Sequence, residues 1–349
     1  MYLNQKIQVK WNGKLSEPFS VSNGVRQGGV LSPLFFSIYI DDLLLKLKQS
    51  GFGCNIGCYY FGALGYADDI VLLCPTKEGL RKMIEICEAY AVEHDLLFNG
   101  SKSKLLVCGT VPEYVPKFYV NEKEVPVCDT AIHLGNLISN NMHDTIDYGI
   151  SKFNSSFNYF LSSFGKCQSS VKNQLFIQYC SSLYGSQIWP LYKDDILKKI
   201  SIRWRMALKR IWNLPVNTHC DIVHLLSSQI PIDIQLKCRF FKFYKSLLKS
   251  ENNLISFLSR FKTFSSNSTM GKNVNQILYD LNLDIYELEM LSLNKIKNMY
   301  YQKWISGVND LYVIHSKCIY DLSMLKEKVY YSNQFKHECD FFIRFFCTL

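Results

Sequence analysis

The chain has 349 residues, of which 48 % are hydrophobic and 14 % aromatic, with only 18 Gly and 9 Pro. This composition is enough to bury one large core or two ordinary ones, and it excludes a disordered or fibrous protein. The sequence has no long uninterrupted apolar run and no secretory signal at residues 1–6, so we predict an intracellular protein with no membrane segment. The odd number of 13 cysteines, scattered from Cys54 to Cys347, predicts reduced thiols in the cytoplasm or nucleus.

The net charge of +9 is unevenly distributed along the chain. Residues 1–150 carry 13 Lys and Arg against 16 Asp and Glu, whereas residues 151–349 carry 26 against 14. The basic surplus of the second part is typical of a surface that binds a polyanion. The acidic first part is where we expect a metal site.

The first predicted elements are a hairpin and a helix. Apolar and polar residues alternate over residues 7–21, and Asn12-Gly13 supplies a tight turn, so we predict a β-hairpin there. A glycine-rich loop over residues 24–31 follows it. Ser32 as N-cap and Pro33 at the first helical position then predict a helix that ends near residue 49.

A second hairpin and an amphipathic helix come next. Apolar runs flank Asp68 and Asp69, so we predict a hairpin over residues 58–75 with both carboxylates at its turn. Apolar residues at helical spacing predict a helix over residues 77–97. Short strands are expected at residues 105–108, 117–120, 124–128 and 132–139, and helices beyond about residue 141. The pattern as a whole predicts an α+β fold.

Adjacent carboxylates on an apolar hairpin repel each other unless a cation lies between them. Asp68 and Asp69 therefore predict a divalent metal, and their oxygen ligands favour Mg²⁺ or Mn²⁺. The structural alternative is an ordinary solvated Asp-Asp turn.

The glycine-rich loop has the features of a phosphate-binding segment. Gly24, Gly28 and Gly29 allow close approach of the backbone to a ligand, and Arg26 adds a fixed cation before a helix N-terminus. Gln27 offers hydrogen bonds to a base edge or a sugar. The alternative is a plain turn that precedes a helix.

Together, in this order and at this separation, the two segments resemble the reverse transcriptase domain of non-LTR (LINE-type) retrotransposons. The glycine-rich loop resembles that family's template and nucleotide loop, and Tyr66-Ala67-Asp68-Asp69 resembles its catalytic palm hairpin. The match is close over about residues 1–140. Further similarity lies at residues 99–104, at His133-Leu134-Gly135, at Leu183-Tyr184-Gly185 and at residues 214–219.

The resemblance implies a partial polymerase palm over residues 1–140, a mainly helical, thumb-like region over residues 141–250, and a helical region of no assigned role over residues 251–349. It implies RNA-directed DNA synthesis by two Mg²⁺ or Mn²⁺ ions, with an RNA template, a DNA primer and dNTP as partners. Asp68 would be the principal metal ligand and Asp69 a supporting one. The remaining implied roles are template and nucleotide binding by Arg26, Gln27, Gly28 and Gly29, proton donation to pyrophosphate by Lys102, and primer grip by His133, Leu134 and Gly135.

This sequence departs from the family in two ways. His133 stands where the family has a tyrosine, and the family's further metal-binding aspartate, on a strand before the glycine loop, has no counterpart in residues 1–23. Asp41 and Asp42 follow the loop on a predicted helix, where a solvated face explains them. We therefore expect an N-terminally truncated polymerase that is inactive alone.

The basic surplus concentrates on two predicted helices. Residues 198–210 contain six basic residues and no acidic one. On this helix we expect Lys199, Arg203, Lys209 and Arg210 to contact nucleic-acid phosphates; the alternative is an ordinary amphipathic surface with surplus lysine. A second helix over residues 234–248 carries five basic residues in or beside it, and its aromatic residues are interpreted as core. His219, Cys220, His224 and Cys238 lack the spacing of a zinc site and are interpreted as structural.

Two other functions remain open at this point. A remnant that binds RNA or DNA without catalysis would keep salt-dependent binding after Asp68→Ala. A group II intron maturase would share the glycine loop and the aspartate pair, but residues 38–43 look more like the LINE type. The sequence predicts neither an oligomeric state nor a template preference.

Overall fold

The computed structural model describes residues 5–21, 24–26, 28–109, 113–265 and 267–315. The chain divides into two compact units, Met1–Asp129 and Thr130–Leu349. The three-part division predicted at residues 140 and 250 stays a prediction. In the described part of the chain, no helix is both long enough and apolar enough to cross a membrane.

The first unit combines short antiparallel hairpins with two long helices, and the second is mainly helical, so the α+β prediction is confirmed. The first unit contains β1 (Gln5–Ile7), β2 (Lys10–Trp11), β3 (Lys14–Leu15), β4 (Phe19–Val21), α1 (Ser32–Gln49), β5 (Asn55–Ile56), β6 (Tyr59–Tyr60), β7 (Ala63–Tyr66), β8 (Asp69–Leu72), α2 (Lys77–Glu93), β9 (Phe118–Val120) and β10 (Lys123–Val125). The second contains β11 (Thr130–His133), β12 (Asn136–Ser139), α3 (Met142–Phe164), α4 (Ser169–Tyr179), a 3₁₀ turn (Ser186–Ile188), α5 (Asp194–Ile211), α6 (Cys220–Leu226), α7 (Ile232–Leu248), α8 (Asn253–Phe264), α9 (Thr269–Leu281), α10 (Ile285–Met290) and α11 (Leu293–His315).

The first hairpin is confirmed. Strand β1 pairs with β4, β2 pairs with β3, and the chain reverses at Asn12 (φ 47°) and Gly13 (φ 79°). Two successive residues in the left-handed region are the signature of the tight turn that Asn-Gly favours.

Helix α1 has the predicted length but a different start. It begins at Ser32, with Leu31 as N-cap and no side-chain capping bond, so the prediction of Ser32 as N-cap is wrong. The Ser32 hydroxyl donates instead to the carbonyl of Arg26, across the glycine-rich loop. The side chain that was expected to cap the helix therefore closes the loop before it.

The core of the first unit lies between α1 and α2. Leu43 and Leu47 from α1 pack with Met83, Cys87 and Tyr90 from α2, and all five are buried. Helix α2 is capped at Thr76, whose hydroxyl accepts a hydrogen bond from the Gly79 amide, and it ends four residues earlier than predicted.

Two strand predictions need correction. Residues 105–108 form no strand, and Leu105 forms an isolated bridge with Val127. Residues 132–139 are not one strand but the larger part of the hairpin β11–β12. The chain reverses there at Leu134 (φ 47°) and Gly135 (φ 77°), as the resemblance to the family's Tyr-Leu-Gly hairpin implied.

The second unit is built around aromatic side chains from α3, α4 and α5. Phe153, Phe157 and Phe160 lie along one face of α3 and are buried against Phe176 and Trp204. Their spacing of three and four residues places them on one stripe of the helix. The prediction of helices beyond residue 141 is confirmed.

Candidate active site

The two adjacent aspartates lie at the tip of the β7–β8 hairpin. Tyr66 pairs with Asp69 as the last rung of the ladder, so Ala67 and Asp68 form the two-residue turn. Ala67 has φ 50°, a backbone conformation that tight hairpin turns require. Both carboxylates are exposed; Asp68 lies in the predicted turn, and Asp69 is the first residue of β8 directly after it.

The rest of this hairpin is anchored on the core of the first unit. Ile70 and Leu72 pack against the α1–α2 core from one face of β8. On β7, Gly65 lies directly under helix α1, since a Cβ at this position would come within 3.2 Å of Leu44 Cδ1. The apolar residues on both sides of the aspartates therefore hold the tip in a fixed place.

The donor set at the tip fits one binding mode for a divalent cation. Mg²⁺ prefers oxygen ligands and often takes one or two carboxylates, with water and substrate phosphates completing its shell. Asp68 and Asp69 supply two such carboxylates in an exposed position that substrate can reach. Within the described residues no group of three or more His, Cys, Asp or Glu is placed to hold a metal, so a closed protein cage is not formed.

The glycine-rich loop is held by the carbonyl of Arg26. This oxygen accepts hydrogen bonds from the Gly29 amide, at 3.0 Å, and from the Ser32 hydroxyl. Gly28 has φ 77°, which favours glycine, and the Arg26 side chain is exposed. Gln27, predicted to contact template or nucleotide, lies outside the described residues.

Lys102 lies in a turn that packs on the β9–β10 hairpin. The Asn99 carbonyl accepts from the amides of Lys102 and Ser103, and a Cβ on Gly100 would lie 2.3 Å from the Val120 carbonyl oxygen. Only glycine allows this close approach. The Lys102 side chain is exposed, as either a catalytic lysine or an ordinary solvated lysine would be.

The residues predicted to grip the primer belong to the second unit. His133 pairs with Asn136 at the end of the β11–β12 ladder, and Leu134 and Gly135 form its turn. The structure therefore divides the predicted site: Asp68, Asp69, Lys102 and the glycine loop lie in the first unit, and His133–Gly135 in the second.

Helix α5 has the amphipathic arrangement predicted for residues 198–210. Ile200, Trp204, Ala207, Leu208 and Ile211 are buried, and basic residues lie on the other side. Three of the four predicted phosphate ligands also have contacts within the chain: Lys199 pairs with Asp147, Lys209 donates to the Val216 carbonyl, and Arg210 lies over the Phe157 ring at 5.4 Å. Arg203 is exposed, and no partner for it is seen in the described part of the chain.

Three of the five basic residues in or beside helix α7 have contacts within the chain. Lys237 is buried and forms a 2.6 Å ion pair with Asp280, and Arg239 donates to the carbonyls of Ser181 and Ser182. Lys245 donates to the Glu289 carbonyl. These three residues therefore have contacts within the chain, and the interpretation of Phe240, Phe241 and Tyr244 as core is confirmed.

The histidines and cysteines between residues 219 and 238 have structural surroundings. His219 caps helix α6 by accepting from the Asp221 amide, and Cys238 is buried in the core. His224 is also buried, and burial lowers its pKa to about 4, with repulsion from Arg205 acting in the same direction. Its imidazole is therefore neutral near pH 7.

Comparison with known proteins identifies the first part of the chain. Residues 1–148 match the family model described as reverse transcriptase (RNA-dependent DNA polymerase). These residues are similar to the reverse transcriptase family. The reverse transcriptase region thus includes the glycine-rich loop, the aspartate hairpin and the β11–β12 hairpin, and the resemblance to the enzymes of non-LTR retrotransposons is confirmed.

The similar proteins are products of retrotransposable elements. The chain is 39 % identical over 99 residues to the retrovirus-related Pol polyprotein of type-1 retrotransposable element R2 of Nasonia vitripennis, which is 28 % of this chain and 9 % of that protein. It is 31 % identical over 121 residues to the Pol polyprotein of type-2 element R2DM of Drosophila melanogaster, 33 % of this chain and 11 % of that protein. It is 25 % identical over 213 residues to the probable RNA-directed DNA polymerase from transposon X-element of the same fly, 56 % of this chain and 22 % of that protein.

These alignments differ in the share of the chain that they cover. The third covers more of the chain than the 148 residues of the family match, so similarity to a retrotransposon polymerase continues into the helices of the second unit. The chain spans less than a quarter of the length of each of the three relatives.

Proposed function

We propose that the reverse transcriptase region carries a nucleotidyl-transfer site for RNA-directed DNA synthesis. The observation that carries the proposal is the exposed Asp68–Asp69 pair, held at a hairpin tip by packing on α1 and α2. The substrates would be a dNTP, a DNA primer and an RNA template.

Asp68 and Asp69 would hold Mg²⁺ or Mn²⁺, with Asp68 as the principal ligand. Bound there, a divalent ion lowers the pKa of a primer hydroxyl and neutralises charge on the leaving phosphates. Arg26 and the amides of Gly28 and Gly29 would bind the triphosphate or template backbone, and Gln27 would position a base. Lys102 would donate a proton to pyrophosphate, and the turn of the β11–β12 hairpin would contact the primer.

The two-carboxylate set limits what the 349-residue chain can do by itself. A two-metal site needs ligands on both sides of the ions, and the described residues place no third carboxylate at this tip. We therefore expect metal binding that depends on bound nucleotide, and no primer extension by this chain alone. Removal of one carboxylate from such a site commonly costs orders of magnitude in rate.

The test is Mn²⁺ binding followed by electron paramagnetic resonance, with and without dNTP. We expect Mn²⁺ uptake in the presence of dNTP, and its loss in Asp68→Asn. The chain offers a matched control in Asp41, since Asp41 and Asp42 are also adjacent and exposed but lie on helix α1. Equal uptake by Asp68→Asn and Asp41→Asn would contradict the proposed site.

A primer-extension assay tests the proposed site and the expected inactivity of this chain as two separate claims. No DNA synthesis on an RNA template with Mg²⁺ is the expected result. Template-dependent synthesis that is abolished by Asp68→Ala would support the site and refute the inactivity.

A second candidate is nucleic-acid binding without catalysis. The charge of the second unit favours it, because residues 130–349 carry 26 Lys and Arg against 16 Asp and Glu. Binding that survives both Asp68→Ala and removal of divalent metal, with no nucleotide-dependent Mn²⁺ uptake in the original chain, would favour this function over the polymerase.

A further inference from the structure

A pocket of about 360 Å³ lies within the second unit, beside the turn of the β11–β12 hairpin. Its walls come from the hairpin turn, one face of α3 and the segment over residues 180–184, with Trp189 at its base. Small-ligand pockets commonly have volumes of about 300–1,000 Å³, so this one has room for a single nucleotide rather than a base pair.

The aromatic ring of Tyr184 lines the pocket. The Tyr184 ring lies against the hairpin turn, because a Cβ on Gly135 would come 3.3 Å from its Cε1 atom. The Tyr184 side chain is nevertheless 63 % exposed. A ring supported on one side and open on the other can stack with a planar base.

A single cation lies at the same pocket. Lys152 Nζ donates to the Gly135 carbonyl at 3.2 Å and lies 4.4 Å from the centre of the Tyr148 ring. An ammonium group has three donors, so two remain for a ligand anion. Among the described residues that line the pocket, Lys152 is the only charged side chain, and the pocket therefore favours an anion.

Further donors follow Lys152 along α3. Ser155 and Ser156 are three and four residues further on, which places them on the same face of the helix, and both are exposed and line the pocket. Gly149 allows helix α3 to lie close to Trp189, since a Cβ at residue 149 would lie 2.4 Å from the Trp189 ring. The pocket thus offers, around the Gly135 turn and the neighbouring face of α3, an exposed aromatic ring, a positive charge and hydroxyl groups.

We propose that this pocket binds one unpaired nucleoside monophosphate unit, with its base stacked on Tyr184 and its phosphate on Lys152 and the two serine hydroxyls. The unit comes either from a single strand of nucleic acid or from a free nucleotide. Binding needs no metal and no contribution from Asp68 or Asp69, so its failure is distinguishable from failure of the metal site, although Gly135 also belongs to the turn assigned to the primer above.

The test uses the full 349-residue chain in EDTA and a short oligothymidylate with one 2-aminopurine base. Stacking quenches the fluorescence of 2-aminopurine, and anisotropy of a labelled copy reports affinity. We expect Tyr184→Leu to weaken binding about tenfold and to remove the quenching, because each stacked base contributes substantially to affinity. Tyr184→Phe retains the ring and should retain both signals.

Lys152→Met keeps the aliphatic stem and removes the charge. We expect it to weaken binding and to reduce the slope of log affinity against log salt by about 0.7, the value for one phosphate contact with a single strand. Matched controls are Tyr159→Leu, on the same helix with a 76 % exposed ring, and Lys166→Met, just after the helix; both should bind as the original chain does.

Competition experiments distinguish a free nucleotide from a nucleic-acid strand as the ligand. Displacement of the oligonucleotide by thymidine monophosphate would assign the pocket to a free nucleotide, and displacement only by unlabelled oligonucleotide would assign it to a strand. Equal displacement by inorganic phosphate would overturn the proposal, since it would show an anion site without a base. Unchanged quenching and affinity in Tyr184→Leu would overturn it as well.

Discussion

His224 is the residue whose burial has a direct consequence for pH dependence. Its pKa is lowered to about 4, first by burial and then by the charge of Arg205. In the unfolded chain a histidine titrates near pH 6.5, so between pH 6.5 and 4 the unfolded state binds more protons than the folded state. The contribution of His224 to the free energy of unfolding therefore falls as the pH decreases through this interval.

The lowered pKa of His224 is equivalent to a loss of about 3 kcal/mol in the free energy of unfolding as the pH falls. We predict that His224→Phe removes this loss. Phenylalanine keeps an aromatic ring near Trp304, which the imidazole contacts edge to face. The measurement is urea unfolding of both proteins at several pH values between about 7 and 4, a range that spans the pKa of histidine in the unfolded chain and its lowered pKa in the folded chain. His143→Phe, at an exposed histidine of α3, is the control and should leave the pH profile unchanged.

Single residues also show where sequence reasoning reached its limit. Asp68 and Asp69 were placed correctly, because local alternation of apolar residues determines where a hairpin turns. The ion pair of Lys237 was not predicted, because its partner Asp280 is 43 residues away and only tertiary packing brings the two together. Lys152 was not singled out either, since nothing in its local sequence distinguishes it from other exposed lysines.

At the scale of elements, residues at the ends of helices and in hairpin turns determined which elements could be predicted from the sequence. Pro33 and the apolar repeat predicted α1 to its last residue, and Asn12-Gly13 predicted the first hairpin. The β11–β12 hairpin was missed by periodicity because Leu134, an apolar residue, occupies the turn and extends the alternating pattern through it. The family resemblance indicated this turn where the local chemistry did not.

The same turn yields a prediction about stability. Leu134 has φ 47°, and a residue with a Cβ pays about 1–2 kcal/mol in this region, where asparagine is tolerated. We predict that Leu134→Asn raises the free energy of unfolding by about 1 kcal/mol, measured by urea denaturation. The control is Ile132→Asn, an exposed apolar residue on strand β11, which should give no gain; equal effects would show that φ at residue 134 is not the cause.

At the scale of the whole molecule, the surplus of positive charge lies in the second unit. Residues 1–129 carry 13 Lys and Arg against 14 Asp and Glu, whereas residues 130–349 have a surplus of ten basic residues. The sequence alone located this imbalance, but not which basic residues are available. Internal contacts engage Lys237, Arg239 and Lys245, and Arg203 on α5 keeps an exposed guanidinium.

We predict that Arg203→Ala weakens binding of a DNA or RNA duplex whatever its sequence, because a phosphate contact reads no bases. Loss of one such contact should reduce the slope of log affinity against log salt by about 0.9, measured by fluorescence anisotropy over a salt series. Arg81 offers a matched control, since it is also an exposed arginine on a helix but lies on α2 of the first unit. If Arg81→Ala reduced the slope as much as Arg203→Ala, duplex binding would not be confined to the basic unit. If neither did, α5 would not be a phosphate-binding helix.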